Sequence, residues 1–415
     1  MPMFANTLTR ALVIAATLFG SLPAQGDDLP KWKIDPYTKN DPEAMKAAGY
    51  VSFGPFDVGS VGPTPTTTTQ IEEKLPYVRI LWIETEHFKL GCALPAWTVP
   101  MELETRKKIR AELEELEKKL PNVKSKTRQL DPWLRAHLFA HRLEKLYVDV
   151  RDLFGVKDAD FPADEGKVIR MPGAVYMGMG PYLGMKKKYI VLLFEKLETH
   201  QTYLGTFIGR NTKFPQRWHF KEVGSLMLSI AEGCDGGKLS DDTAMHSSVY
   251  FNTAQLLLDG FRYYTYDLPV WIREGFGHYW GRRASPKWNS FDQQEGGVAD
   301  MKSTWKWEPY VRNLVITRDK IAPFSEVIQW RNFGDIQFND HTAIWSRMDW
   351  LMSQGAEKWH KFVFAVKGRV DANWFPDQTD LVGATREALK DAYGLSVLNF
   401  DDRWVEWVKE NYPSK

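Results

Sequence analysis

The sequence predicts an α+β fold, on three observations. Strand-type segments gather between residues 78 and 231. Amphipathic helical stretches interrupt them, and from about Ser285 nearly every segment carries helical spacing. A length of 415 residues suits one large domain or two to three smaller ones. A hydrophobic share of 43% and a charged share of 26% are globular values, so a packed core is expected throughout the ordered part. Lys+Arg 54 against Asp+Glu 53 is balanced, which argues against nucleic acid or another polyanion as partner. The 17 tryptophans admit sugar-stacking surfaces, but large helical cores use tryptophan more often.

Residues 1–26 read as a secretion signal. Arg10 supplies the charged start, Ala11 to Gly20 the short apolar run, and Ala24-Gln25-Gly26 small residues for cleavage. The run is too short to span a bilayer, which takes about 20 apolar residues. No later segment is long and apolar enough to do so, and the mature chain is expected to be periplasmic or extracellular. Residues 27–75, rich in Pro, Gly and Thr, read as an extended arm, draped or partly disordered.

Order is expected from near Leu75. Val78 to Leu94, VRILWIETEHFKLGCAL, has strand composition. Glu84, Glu86 and His87 fall together there, as a metal cluster or, in the preferred reading, as the polar end of a strand. Met101 to Leu120 predicts a helix with Ile109, Leu113, Leu116 and Leu120 on its apolar stripe, and Glu114–Lys118 and Glu115–Lys119 as ion pairs. Asp131-Pro132 opens a second helix to about Phe154. It carries HLFAH, whose His137 and His141 lie off the apolar stripe and read as a solvated face rather than a zinc chelate. GMGPYLG, from Gly178 to Gly184, leads into strand-type KKKYIVLLFE. It therefore reads as a hairpin or loop near a site, not a phosphate-binding loop. TYLGTFIG and RWHFKEVGSLMLSIA read as further strands. From Thr243 the chain is helical and apolar on nearly every side, as a central buried helix is. After Ser285, AIWSRMDWLMS, EKWHKFVFAVKG, ATREALKDAYG and DDRWVEWVKENY predict a helical bundle over 286–415. Cys92 and Cys234 are the only cysteines; they are either a disulfide or two buried thiols.

One segment is specific. LPVWIREGFGHYW begins at Leu268, and WIETEHF begins at Trp82. Together with the helical tail ending in WVEWVKENYP, they make residues 76 to 415 resemble gluzincin metallopeptidases of the thermolysin-like peptidase MA group, in particular exported bacterial members. The resemblance implies a gluzincin-like core over 76–285 with a mixed sheet and active-site helices, followed by the helical part. It also implies that Glu274 stands where the third zinc ligand stands. The preceding helix should carry HExxH, because two histidines at i,i+4 share a helix face and the glutamate beside the first takes a proton from metal-bound water.

The motif is degenerate here in either of two registers. HSSVY keeps His246 but loses the base and second ligand. FNTAQ puts Phe251 and Gln255 at the ligand positions and Asn252 at the base. Glu274 lies 23 positions after Phe251 and 28 after His246. The shorter separation suits the family, so FNTAQ is preferred. Phenylalanine binds no metal, the amide oxygen of Gln255 is a weak zinc ligand, and asparagine accepts no proton near neutral pH.

The leading expectation is an exported gluzincin-fold protein that hydrolyses nothing. It would bind a peptide, glycan or protein partner in a cleft lined by Gln255, Glu274 and His278, with no cofactor. One alternative is an active metal-dependent hydrolase with zinc on His246, Glu274 and His278. The other is a structural envelope protein. In the favoured register His246 lies about half a turn from Gln255, nine residues on at about 100° each. Gly275 and Gly277 cost the helix about 1 kcal/mol each relative to Ala, which suggests close approach of another backbone.

Overall fold

A computed structural model describes residues 29–62, 64–163, 175–292, 305–317 and 321–415. The secretion signal expected at residues 1–26 lies outside the described residues. Residues 29–34 hold one short 3-10 turn, Lys31–Lys33. Residues 35–415 form one compact unit.

The architecture is α+β with a mixed five-stranded sheet. Its strands are β1 (Leu81–Glu84), β2 (Phe88–Ala93), β5 (Tyr189–Phe194), β6 (Gln216–Phe220) and β7 (Ser225–Ala231), in the order β1-β2-β5-β7-β6. β2, β5 and β7 run parallel; β1 and β6 pair antiparallel at the two ends. β3 (Trp97–Thr98) and β4 (Gln129–Leu130) form a separate short ribbon. YIVLLF and SLMLSIA are buried at every position, as central strands covered on both faces must be.

The helices are α1 (Pro42–Ala47), α2 (Thr68–Lys74), α3 (Leu103–Lys119), α4 (Pro132–Leu153), α5 (Leu197–Phe207), α6 (Asp242–Gly260), α7 (Val270–Ala284), α8 (Trp307–Thr317), α9 (Phe324–Val327), α10 (Phe338–Ser353), α11 (Ala356–Val366), α12 (Leu381–Tyr393) and α13 (Phe400–Asn411). None is long and apolar enough to cross a membrane. α4 packs on β1 and β2 and against α6; α6 packs along α7, and α7 along α10. α3 buries the expected stripe of Ile109, Leu113, Leu116 and Leu120. Its surface ion pairs include Glu104–Lys107, Arg110–Glu114 and Glu115–Lys118, and the expected Glu114–Lys118 and Glu115–Lys119 are not among them.

Three expectations are corrected. The arm is not loose from residue 35 on. Asp41 caps α1, Thr67 and Gln70 form a capping box on α2, Ser52 bridges to Glu84 of β1, and Val58, Ile71 and Leu75 are buried. The arm also covers His137, which is fully buried, 2.7 Å from the Tyr50 hydroxyl and 3.1 Å from Asp35, whereas His141 on the same helix is half-buried. TYLGTFIG is not a strand but part of α5, because Thr199, His200, Tyr203 and Leu204 recur at helical spacing and are the buried face.

GMGPYLG is a tight turn held against the α6–α7 connection. Gly178 and Gly184 have φ of +90° and +99°, and a Cβ on Gly184 would lie 2.7 Å from the Cα of Arg262. Only glycine fits both the backbone and the space.

Candidate functional site

Asp241 starts α6, accepting from the backbone N–H groups of Thr243 and Ala244. Beside it the fully buried Asp242 accepts from Arg142 at 2.7 Å and Arg135 at 3.4 Å, while Arg135 also donates to Glu232 at 2.9 Å. These charges pin the start of α6 to α4 and β7. α6 then sorts its side chains onto two opposed faces.

One face turns toward α3 and α4. His246 Nδ1 lies 3.7 Å from Glu112, and its ring meets Tyr250 edge-on at 4.4 Å. The Tyr250 hydroxyl donates to the carbonyl of Arg142 at 2.9 Å. Burial, with the nearby positive charge of Arg142 and Lys108, holds His246 neutral well below its usual range.

The other face turns toward α7. Ser247 donates to the carbonyls of Gly281 and Trp288, each at 2.9 Å. Phe251 and Gln255 follow at four-residue steps and press on Gly277, where a Cβ would lie 2.6 Å from Gln255 Nε2 and 2.9 Å from the Phe251 ring. The close approach at Gly277 is therefore by side chains, not backbone, and Gly275 likewise accommodates Met348 and Ile344 of α10. Asn252 is held by Arg217 of β6, which donates to its Oδ1 at 2.8 Å, and donates in turn to the Ser248 carbonyl at 2.9 Å.

Glu274 and His278 sit one turn apart on α7. Gln255 Nε2 donates to Glu274 Oε1 at 3.4 Å. So the FNTAQ face, not the His246 face, meets Glu274. The set His246, Glu274 and His278 is not brought together: His246 belongs to the Arg142–Glu112 side of α6.

A different histidine closes on the pair. His341, at the start of α10, places Nδ1 3.0 Å from His278 Nε2 and 3.6 Å from Glu274 Oε2, while His278 Nε2 is 3.5 Å from the same oxygen. A capping box between Gln337 and Asp340 starts α10 and places His341 on its inner face. Nothing in the sequence marked His341 as a site residue. The only available signal was its spacing, three residues before Ile344 and seven before Met348 on the apolar face.

Aromatic rings enclose the cluster. Phe251, Phe291 and Trp307 stand 5.1, 5.4 and 5.1 Å from His278, and Phe291 stands 4.9 Å from His341. Burial drives His278 well below its usual range and His341 down to about 4, so both imidazoles are neutral at neutral pH. Gln255, Glu274 and His278 are 0%, 0% and 1% exposed, so they lie inside a helix seam and do not line an open cleft. Cys92 and Cys234 are both buried free thiols.

A second group, Glu86, His87 and Asp158, lies at the end of the β1–β2 turn. Two of its members are already engaged, His87 with Glu144 at 2.7 Å and Asp158 with Arg151 at 2.6 Å, and Glu86 is exposed.

No protein-family model, characterised protein or solved structure matches this chain.

Proposed function

We propose that this chain is an exported, gluzincin-like protein that has no peptidase activity and acts by binding. Its ligand would be an extended peptide, a glycan or a partner protein outside the cytoplasm. The observation that carries this reading is the seam between α6 and α7. The face of α6 opposite Glu274 presents Phe251, Asn252 and Gln255, all buried, where a zinc peptidase needs two imidazoles and a carboxylate. Zinc at those positions does not fit. Phe251 offers no lone pair, and Asn252 is a neutral amide already bonded to Arg217 and Ser248. At those positions water activation has no base, and Gln255, Glu274 and His278 are buried.

Export is supported by the charged start and short apolar run of residues 1–26. A binding role is supported by β6, an edge strand paired only with β7 among the described residues. Its residues 216–219 are half-buried, the arrangement that accepts an added strand. The reading is tested with purified mature protein, unstructured protein substrates and a peptide library, each with and without chelator. No cleavage is expected under any condition. Chelator-sensitive cleavage that tracks with the protein through purification would overturn it.

A further inference from the structure

We propose that Glu274, His278 and His341 form a closed transition-metal site, suited to Zn²⁺ and structural rather than catalytic. It is not the gluzincin site, because it replaces both imidazole positions of α6 with one histidine from α7 and one from α10. Tetrahedral zinc, with bonds of about 2.0–2.1 Å, sets its ligand atoms about 3.4 Å apart. Glu274 Oε2, His278 Nε2 and His341 Nδ1 are separated by 3.0, 3.5 and 3.6 Å. The point equidistant from the three lies about 2 Å from each, the length of a zinc–nitrogen or zinc–oxygen bond.

The donor chemistry agrees. Two imidazoles and a carboxylate are ligands that zinc accepts, and their three donor atoms converge on one point. A second observation points the same way. Gln255 is fully buried, and its Oε1 has no hydrogen-bond partner among the described residues. Its amide stands beside Glu274. Turning the amide over exchanges nitrogen and oxygen with little change of shape, and offers the oxygen as a fourth, neutral ligand. Three protein ligands with an open fourth position are the mark of catalytic zinc, whereas a filled shell is the mark of structural zinc. Among the described residues Phe251, Phe291 and Trp307 stand around His278, and Gln255 is a further donor beside Glu274. The ion would tie α7 to α10 and so join the segment bearing Glu274 to the C-terminal helices. Because the site is enclosed, metal enters as the chain folds.

The test uses the full mature protein. Metal content is measured as purified without chelator, and again after unfolding in chelator and refolding with Zn²⁺ or Co²⁺. About one equivalent per folded chain is expected, with the intense visible bands of tetrahedral Co²⁺. Thermal unfolding should move upward when Zn²⁺ is present during refolding. His341→Asn and Glu274→Gln should each lower the content of folded protein to about a tenth or less. His246→Asn should keep it, because His246 faces Glu112. Folded wild-type protein that takes up no metal after refolding with Zn²⁺ would overturn the proposal, as would His341→Asn protein with undiminished content. Metal content and peptidase activity are read separately. A metal-free protein sinks the site and leaves the non-hydrolytic reading intact. A metal-loaded protein that cleaves peptides sinks the non-hydrolytic reading and, if cleavage is lost with the metal in His341→Asn, the structural assignment of the site as well.

Discussion

Replacing Gly277 with alanine probes the seam between α6 and α7. The new Cβ would lie 2.6 Å from Gln255 Nε2 and 2.9 Å from two carbons of the Phe251 ring. Carbon contacts are optimal near about 3.5–4.0 Å, so the neighbours must give by roughly 0.6–1 Å. Gln255 can swing its amide, but Phe251 is 1% exposed and backed by His278 at 5.1 Å. Overpacking of this kind costs about 1–3 kcal/mol. Removing a helical glycine returns up to about 1 kcal/mol. The net expectation is a loss of about 1–2 kcal/mol. Gly275→Ala is the matched control. Its Cβ would meet Met348 Cβ and Cε at 3.1 Å and Ile344 Cγ2 at 3.2 Å. Met348 Cε yields easily, while Met348 Cβ and Ile344 Cγ2 need α10 to shift by only a few tenths of an ångström. Its cost and gain nearly cancel, to within about 0.5 kcal/mol. Urea unfolding followed by circular dichroism compares the two variants at equal slope. On a Phe251→Leu background the Gly277→Ala penalty should fall by at least about half, a coupling that independent sites would not show. If Gly277→Ala is as stable as Gly275→Ala, or its penalty is unchanged on the Phe251→Leu background, the account of the seam is wrong.

Two further expectations follow from buried groups away from the seam. His200 is fully buried; its Nε2–H donates to the Phe214 carbonyl and its Nδ1 accepts from Ser229, each at 2.9 Å, and burial lowers its pKa to about 4. The unfolded chain binds this proton near pH 6.5 and the folded chain does not, so stability is lost as pH falls from about 6.5 to 4, by about 3 kcal/mol in all. His200→Gln should be less stable at pH 7 yet lose less on acidification, and an unchanged pH slope in urea midpoints would refute this. Cys92 and Cys234 are buried thiols, pushed up to about 11 and about 12 by burial. A thiol reagent should therefore find almost nothing in the native protein and two thiols in the unreduced, unfolded one; two thiols missing from the unfolded protein would show a disulfide instead.

Sequence periodicity carried far in the helices because their burial is decided locally. Leu113 and Leu116 fall on one stripe of α3, and Trp359, Phe362 and Val366 on one stripe of α11, with no need to know the partner. The strand reading held for YIVLLF and SLMLSIA, where a short apolar run has no helical alternative of sufficient length. TYLGTFIG has the β-branched and aromatic composition of a strand, yet it is helical through Phe207, with buried side chains at helical spacing. In a buried helix, tertiary packing overrides the modest propensity cost of threonine and tyrosine.

The failures at the polar residues share a different cause. Whether a histidine lies at the surface depends on what covers it, and the cover came from far along the chain. His137 sits off the stripe of α4, yet Tyr50 and Asp35, some ninety to a hundred positions earlier, bury it and satisfy both ring nitrogens. Arg135 and Arg142 are buried on the same helix because Glu232, Asp242 and Glu112 meet them. Spacing within one helix could pair Glu274 with His278, since four residues bring two side chains to one face. It could also turn His246 away from Gln255. It could not supply His341, 63 positions beyond His278, because no local period links two helices. That asymmetry bears on function. The part of the site legible in the sequence is Glu274 and its helix, the segment on which the proposed likeness to zinc peptidases rests. The part that departs from a peptidase is built by long-range packing: Phe251 against Gly277, Arg217 on Asn252, and His341 on His278. Within the seam Phe251 packs on Gly277 and Asn252 is hydrogen-bonded, while the buried Gln255 Oε1 is left without a hydrogen-bond partner among the described residues.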